Sequence, residues 1–370
     1  MSDLILPHTI SNRLHQKVDK RFIPNFGVRR PGAALVSIGE FDKKAAPGRR
    51  TPKRCVIFSS AMKRMLLIAV ATLALFPLAQ VRSQEKTIAE RLGYPRDAKL
   101  LIVHADDLGV AHSVNTATMK AFETGLVNSG SIMVPCPWLP EIAAYARANP
   151  QADLGLHLTL TSEWTSFRWG PVSSRDRVSS LLDKDGYFRL TETEAAAQAD
   201  PKQVEMEITA QIERARALGI QPTHLDSHMG TLYQNKELFE VFLRVARSQK
   251  LPVRVAKAWF TRADFVPLVL TENDVYIDRT LDIDPSVAPQ DWAKFYGDAL
   301  KKLEPGVTEV IIHLAYDDAE MRGATSDHPN WGAAWRQRDF EFFTSDAFRK
   351  ILQENNIKLI TWRELGKLIK

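Results

Sequence analysis

The chain has 370 residues, 45% hydrophobic and 25% charged, with 49 Lys+Arg against 44 Asp+Glu and a net charge of +5. That excess lies in residues 1–61, which hold 12 Lys+Arg and 4 Asp+Glu, so residues 62–370 are net −3 and the basic character is no sign of nucleic-acid binding. The only cysteines, Cys55 and Cys136, fall on either side of that division, which excludes a disulfide scaffold; a core of roughly 280 residues is large enough to be stable without one.

Residues 1–61 are rich in Pro, Arg and Lys without apolar periodicity and read as an over-extended start or a disordered extension. From Met62 the chain has a basic start (Lys63, Arg64), an apolar run over 66–78 and small residues near Ala79 and Ser83. This is the layout of a secretory signal peptide, so the mature protein is expected to begin after residue 83 and to be exported, periplasmic or extracellular. The 13-residue apolar run is short for a membrane span, and an uncleaved anchor at 62–83 is the alternative. No cysteine follows the run, which argues against a lipoprotein.

Strand-like apolar runs then alternate with helical patterns. The strands are expected at 99–104, 129–134, 154–160, 222–226, 253–256, 275–278, 309–314 and 358–361. The helices are expected at 113–124, 139–149, 201–218, 235–249, 289–303 and 345–355, with Asp200-Pro201 as N-cap and first helical residue and Gly219 as the stop. Such repetition predicts a (β/α) barrel, complete or distorted, as a single TIM-like domain over 84–370; an open doubly wound sheet is the alternative. Connections at 161–199 and 315–344 interrupt the alternation, and long connections often cover binding sites. In the second, Trp331 and Trp335 could stack on a ligand, although packing within a lid is the commoner role of large aromatics.

Three polar motifs end three of the apolar runs: His104-Ala-Asp-Asp107, Gly155-Leu-His-Leu158 and Thr223-His-Leu-Asp-Ser-His228. In barrels and wound sheets the carboxyl ends of strands are where sites are built. A hydrolytic metal centre needs a few protein ligands, an open position and a base. Asp107, His157 and His228 can supply one oxygen and two nitrogens, leaving Asp106 as the base. The plainer reading of the Asp pair is a cap for the helix near Ser113, and a lone histidine is by default a hydrogen-bonded core residue. His224 and His228 are four apart, but Pro222 and Asp226-Ser227 favour a strand entering a turn, so both need not bind.

Taken together, 103–109 (Val-His-Ala-Asp-Asp-Leu-Gly), 155–161 (Gly-Leu-His-Leu-Thr-Leu-Thr) and 222–228 (Pro-Thr-His-Leu-Asp-Ser-His) resemble the YdjC-like carbohydrate deacetylases, over essentially the whole chain from about Leu100. The resemblance implies that Asp107, His157 and His228 bind a divalent metal, that Asp106 is the general base, and that His313 of Ile-Ile-His-Leu is the acid. It implies attack of a metal-bound water on the N-acetyl carbonyl of an acetylated amino sugar or oligosaccharide. Arg254, near the end of an expected strand, could orient Asp106 by a two-pronged ion pair; a solvated strand-end charge is the alternative. An Asp-His-His set suits Zn²⁺ and admits Mg²⁺, Mn²⁺, Co²⁺ or Ni²⁺. The chain departs from the family at Met229-Gly230, where further histidines are usual, and at His313-Leu314, where His-Pro is usual. Hydrolysis of another amide or an ester, and an inactive carbohydrate-binding relative, are the competing readings; retention of both Asp106 and His313 argues against the last.

Overall fold

A computed structural model of the protein describes residues 86–261 and 263–369. The extension at 1–61, the leader-like segment at 62–83 and Cys55 lie outside the described residues. Within Glu85–Lys370, one compact unit, the strands are β1 (Lys99–Leu108), β2 (Ser129–Ile132), β3 (Leu154–Leu158), β4 (Leu225–Ser227), β5 (Arg279–Leu281), β6 (Gly306–Ile312) and β7 (Ile357–Leu359). All pair in parallel in the order β4-β3-β2-β1-β6-β5, with β7 beside the first three residues of β1. The sheet curls into a distorted (β/α) barrel flanked by helices. Between β4 and β5 the wall is carried by two isolated bridges, Leu225 to Val253 and Ala256 to Ile277. The strand expected at 253–256 is therefore present as a ladder too short and irregular to form a continuous strand. Among the described residues no helix is long and apolar enough to cross a membrane.

Strand periodicity explains how the site is assembled. Successive residues of a strand face opposite sides. Along β1, Leu101, Val103 and Ala105 pack outward with Trp292, Tyr296 and Phe343 of the surrounding helices. Leu100 and Ile102 pack inward with Val307, Ile277 and Trp362, filling one end of the barrel with apolar side chains. The same inward row continues through His104 to Asp106. On β3 the outward residues Leu154, Leu156 and Leu158 alternate with Gly155 and His157, and on β4 Leu225 is outward while Asp226 joins the interior. The barrel is thus apolar at one end and ionisable at the other.

Gly155 sits where no side chain fits. A Cβ there would lie 2.4 Å from the His224 ring, which is itself stacked on Trp362 with centroids 5.3 Å apart and cannot retreat. Gly155→Ala is expected to cost roughly 1–3 kcal/mol through overpacking, read from the shift of the chemical denaturation midpoint; a variant as stable as the wild type would show that His224 is free to move.

The expected helices appear with end shifts of at most three residues. Asp200 accepts from the Lys202 amide, Pro201 opens the helix Pro201–Ala217, and Gly219 leaves it at φ 85°. Six α-helices among the described residues were not expected: the short Ile88–Arg91, Val266–Val269 and Trp362–Gly366, and, inside the two long connections, Glu192–Gln198, Ala319–Ala324 and Ala333–Phe343. In Ala333–Phe343 two of the buried positions are Arg336 and Asp339, and charges on the inner stripe hide the apolar period by which a helix is read.

Candidate active site

All six residues singled out in the sequence meet at the polar end of the barrel. Asp106 arrives on the inward row of β1. Asp107, its neighbour, should face outward, and here the structure corrects the expectation that the strand has ended: β1 runs on to Leu108, with a register shift against β2 between Ala105 and Leu108. Asp107 takes a left-handed conformation, φ 69°, and this bulge turns its carboxylate to the same side as that of Asp106. The pair is not a helix cap. The helix His112–Glu123 is capped instead by Glu320, whose carboxylate accepts from the His112 and Ser113 amides at 3.1 and 2.7 Å.

Asp107, His157 and His228 form a buried trio whose ligand atoms lie within 4.8 Å of one another. Asp107 Oδ1 has no hydrogen-bond partner although it is buried; His157 Nε2 and His228 Nδ1 each stand 3.4 Å from it. The other nitrogen of each ring is occupied. His157 Nδ1 donates to Asp226 Oδ1 at 2.7 Å, and His228 Nε2 donates to Glu163 Oε2 at 2.9 Å. Carboxylates behind imidazoles set the tautomer and leave the facing nitrogens with lone pairs, the arrangement found behind metal-bound histidines. Burial opposes a charged His228, yet Glu163 and Asp107 on its two sides raise it to about 10. The carboxylates on either side of the ring thus favour a cation there, a proton on Nδ1 or a metal ion in its place, and the donor set fits a divalent ion.

Two other groupings could be drawn, Asp106-His157-Asp226 and His104-His224-Asp226, but their carboxylates are already engaged. Arg254 Nη1 and Nη2 donate to the two oxygens of Asp106 at 3.2 and 2.6 Å, and Nη2 also donates to Asp226 Oδ2. Arg254 is 4% exposed, so the reading of it as a solvated charge is excluded. His104 Nε2 lies 3.0 Å from Asp106 Oδ1. Burial disfavours its charged form and so does Arg254, but Asp106, Asp226 and Glu309 raise it to about 9. Asp106 is opposed by burial and held well below the usual carboxylate range by Arg254 first and by His157 and His104 after it. Its Oδ2, 3.7 Å from His157 Nε2, is the oxygen nearer the trio.

His224 takes no part in the trio; it is buried against Gly155 and Trp362. His313 follows β6 on its inward row. Burial lowers it to about 4, with Arg336 adding to the effect against Asp107, so the ring is neutral at rest, and its buried Nδ1 has no partner. Trp335 is buried with its centroid 5.1 Å from that ring, which supports packing; Trp331 beside it is 42% exposed. Glu163, Arg336 and Asp339 had no sequence signal, since all three come from the long connections. Asp226 and His104 stood in the motifs, and only the barrel shows what they hold.

The supporting carboxylates yield a prediction. Asp226→Asn and Glu163→Gln should each weaken metal binding by about 10–100-fold without removing a ligand, measured by calorimetric titration of the metal-free proteins; affinities equal to wild type in both would mean that the rings need no support.

The profile of the family described as YdjC-like protein matches residues 100–354. A carbohydrate deacetylase of Thermus thermophilus is 32% identical over 288 residues, covering 76% of this chain and 99% of its own. One from Thermoanaerobacter pseudethanolicus is 29% identical, covering 71% and 98%. A crystal structure of an Enterococcus faecalis protein assigned to cellobiose-phosphate cleavage superposes with a TM-score of 0.63 at 27% identity, covering 72% of this chain and 99% of that one. With a profile match over most of its length and inward-facing motif residues converging on one site, the chain belongs to the YdjC-like family.

Proposed function

We propose that the protein is a metal-dependent deacetylase that hydrolyses the N-acetyl group of an acetylated amino sugar or oligosaccharide. The observation that carries this reading is the orphaned Asp107 Oδ1 facing two imidazole nitrogens, each ring backed by a carboxylate, with Asp106 and His313 alongside. The relatives above, named carbohydrate deacetylases, support a carbohydrate as the substrate.

Asp107, His157 and His228 would hold a divalent ion, for which Zn²⁺ and Mg²⁺ are the leading candidates. When bound, such an ion supplies Lewis acidity, lowering the pKa of water and polarising an acyl carbonyl. The chain's own groups do the rest. Asp106, kept ionised by Arg254 and His104, accepts the proton of the attacking water. A carboxylate held so far down is a weak base and gives the proton up readily. The proton that Asp106 releases balances the one that His313, neutral at rest, takes up and delivers to the leaving amine. Arg254 links base and ligand, because one guanidinium binds Asp106 and the Asp226 that orients His157.

The test is acetate release. Residues 84–370, loaded with Zn²⁺ or Mg²⁺, should liberate acetate from N-acetylated mono- or oligosaccharides and lose that activity on chelation. Acetate release that survives complete removal of metal would overturn the metal-dependent reading, and hydrolysis only of esters or non-sugar amides would overturn the substrate class.

A further inference from the structure

Arg336 lies on the helix Ala333–Phe343, in a connection from which only the aromatic residues Trp331 and Trp335 were considered. Its side chain is 4% exposed and its Nη2 donates to Asp107 Oδ2 at 2.8 Å. Nε donates to the Trp331 carbonyl at 3.2 Å, and the guanidinium rests 5.8 Å from the Trp164 ring centroid. The remaining nitrogen, Nη1, is buried and has no partner. A buried charged donor left unpaired is costly, and the fixed guanidinium fork places Nη1 within about 5 Å of Asp107 Oδ2. Asp107 therefore carries an orphan acceptor, Oδ1, on one side and is bound by a guanidinium with an orphan donor on the other.

We propose that Arg336 is a substrate-binding residue, whose Nη1 donates to the acyl oxygen of the substrate and afterwards to a carboxylate oxygen of the acetate product while Nη2 holds Asp107. This rests on the deacetylase reading above. The ligand that suits Nη1 is an oxygen with negative or growing negative charge, because a guanidinium has donors only and binds carboxylates most strongly. Such an oxygen must lie beside the ligand trio, since Nη2 of the same fork is fixed to Asp107. The donor is aimed by its own contacts. Nε and Nη2 are both engaged and the guanidinium lies 5.8 Å from the Trp164 ring centroid, so the fork is already held in place when charge develops nearby.

The wild type, R336K and R336Q are compared in three measurements. Calorimetric titration of the metal-free proteins with Zn²⁺ should show a loss of no more than about 10–100-fold, the effect of removing a group behind a ligand while the three ligands remain, and the next two measurements are made at saturating Zn²⁺. Acetate binding to the zinc-loaded proteins should weaken at least about tenfold in both variants, Lys having one point of contact where Arg has two. Turnover should fall by about 10²–10³-fold, as on removal of one preorganised donor. Acetate affinity within twofold of wild type in both variants overturns the proposal; so does a loss of turnover accounted for wholly by lost metal, which would make Arg336 a positioning residue for Asp107 only. If R336Q fails to fold, R336K decides by the same readings. Should the wild type release no acetate from any acetylated sugar, the deacetylase reading fails by itself, and acetate affinity in the zinc-loaded proteins still decides the role of Nη1.

Discussion

His157→Ala and His228→Ala should each lose metal and turnover together. Removing either ring deletes a nitrogen that faces Asp107 Oδ1 at 3.4 Å, and the trio drops to two donors. Loss of a carboxylate behind such a ring costs about 10–100-fold in affinity, so loss of the ring itself should exceed that range and leave turnover undetectable. The fold should survive, because the apolar end of the barrel does not touch these positions. Calorimetry with the metal-free variants and metal analysis after dialysis are the measurements. Affinity unchanged in both would remove these residues from the site.

The neighbouring carboxylates should separate cleanly. Asp106→Asn is expected to keep the metal and lose turnover by about 10²–10⁴-fold, the usual contribution of general acid-base catalysis, because Asp106 is bonded to Arg254 and not counted in the trio. Asp107→Asn should lose both, since it removes the only formal negative charge of the trio and frees Arg336. The pH profile tests the base separately. Asp106 is held below the usual carboxylate range, so it is ionised above that depressed value and fails to accept a proton only as pH falls through it. The acid limb of the wild-type rate should therefore lie below the ordinary carboxylate region and be absent in Asp106→Asn. Metal stripped from Asp106→Asn but retained by Asp107→Asn would reverse the two roles.

The residues that stand on strands were legible because a strand has a fixed period. Runs such as 100–103 and 154–160 mark buried parallel strands, and polar residues at their ends mark the side on which a site is built, so Asp106, His157 and His228 could be read in sequence, with Arg254 from the neighbouring apolar run, whereas His313 was reached through the family resemblance. Asp107 was legible by type and not by direction: a residue next to Asp106 faces away unless a bulge intervenes, and that bulge depends on how β1 registers with β2. The supporting residues were beyond local reading. Glu163 and Arg336 come from connections without strand period, and their spacing from Asp107 along the chain, 229 residues for Arg336, says nothing about contact. Arg336 and Asp339 also break the apolar stripe of the helix that carries them, so the helix and its function were hidden by the same charges. Sequence by itself determined the alternation and the candidate ligand types, because these follow from local periodicity and chemistry; only the register and curvature of the sheet decided where the strands end, which carboxylate stands behind each histidine and which arginine reaches each aspartate, because those pairings join residues that no local interaction brings together.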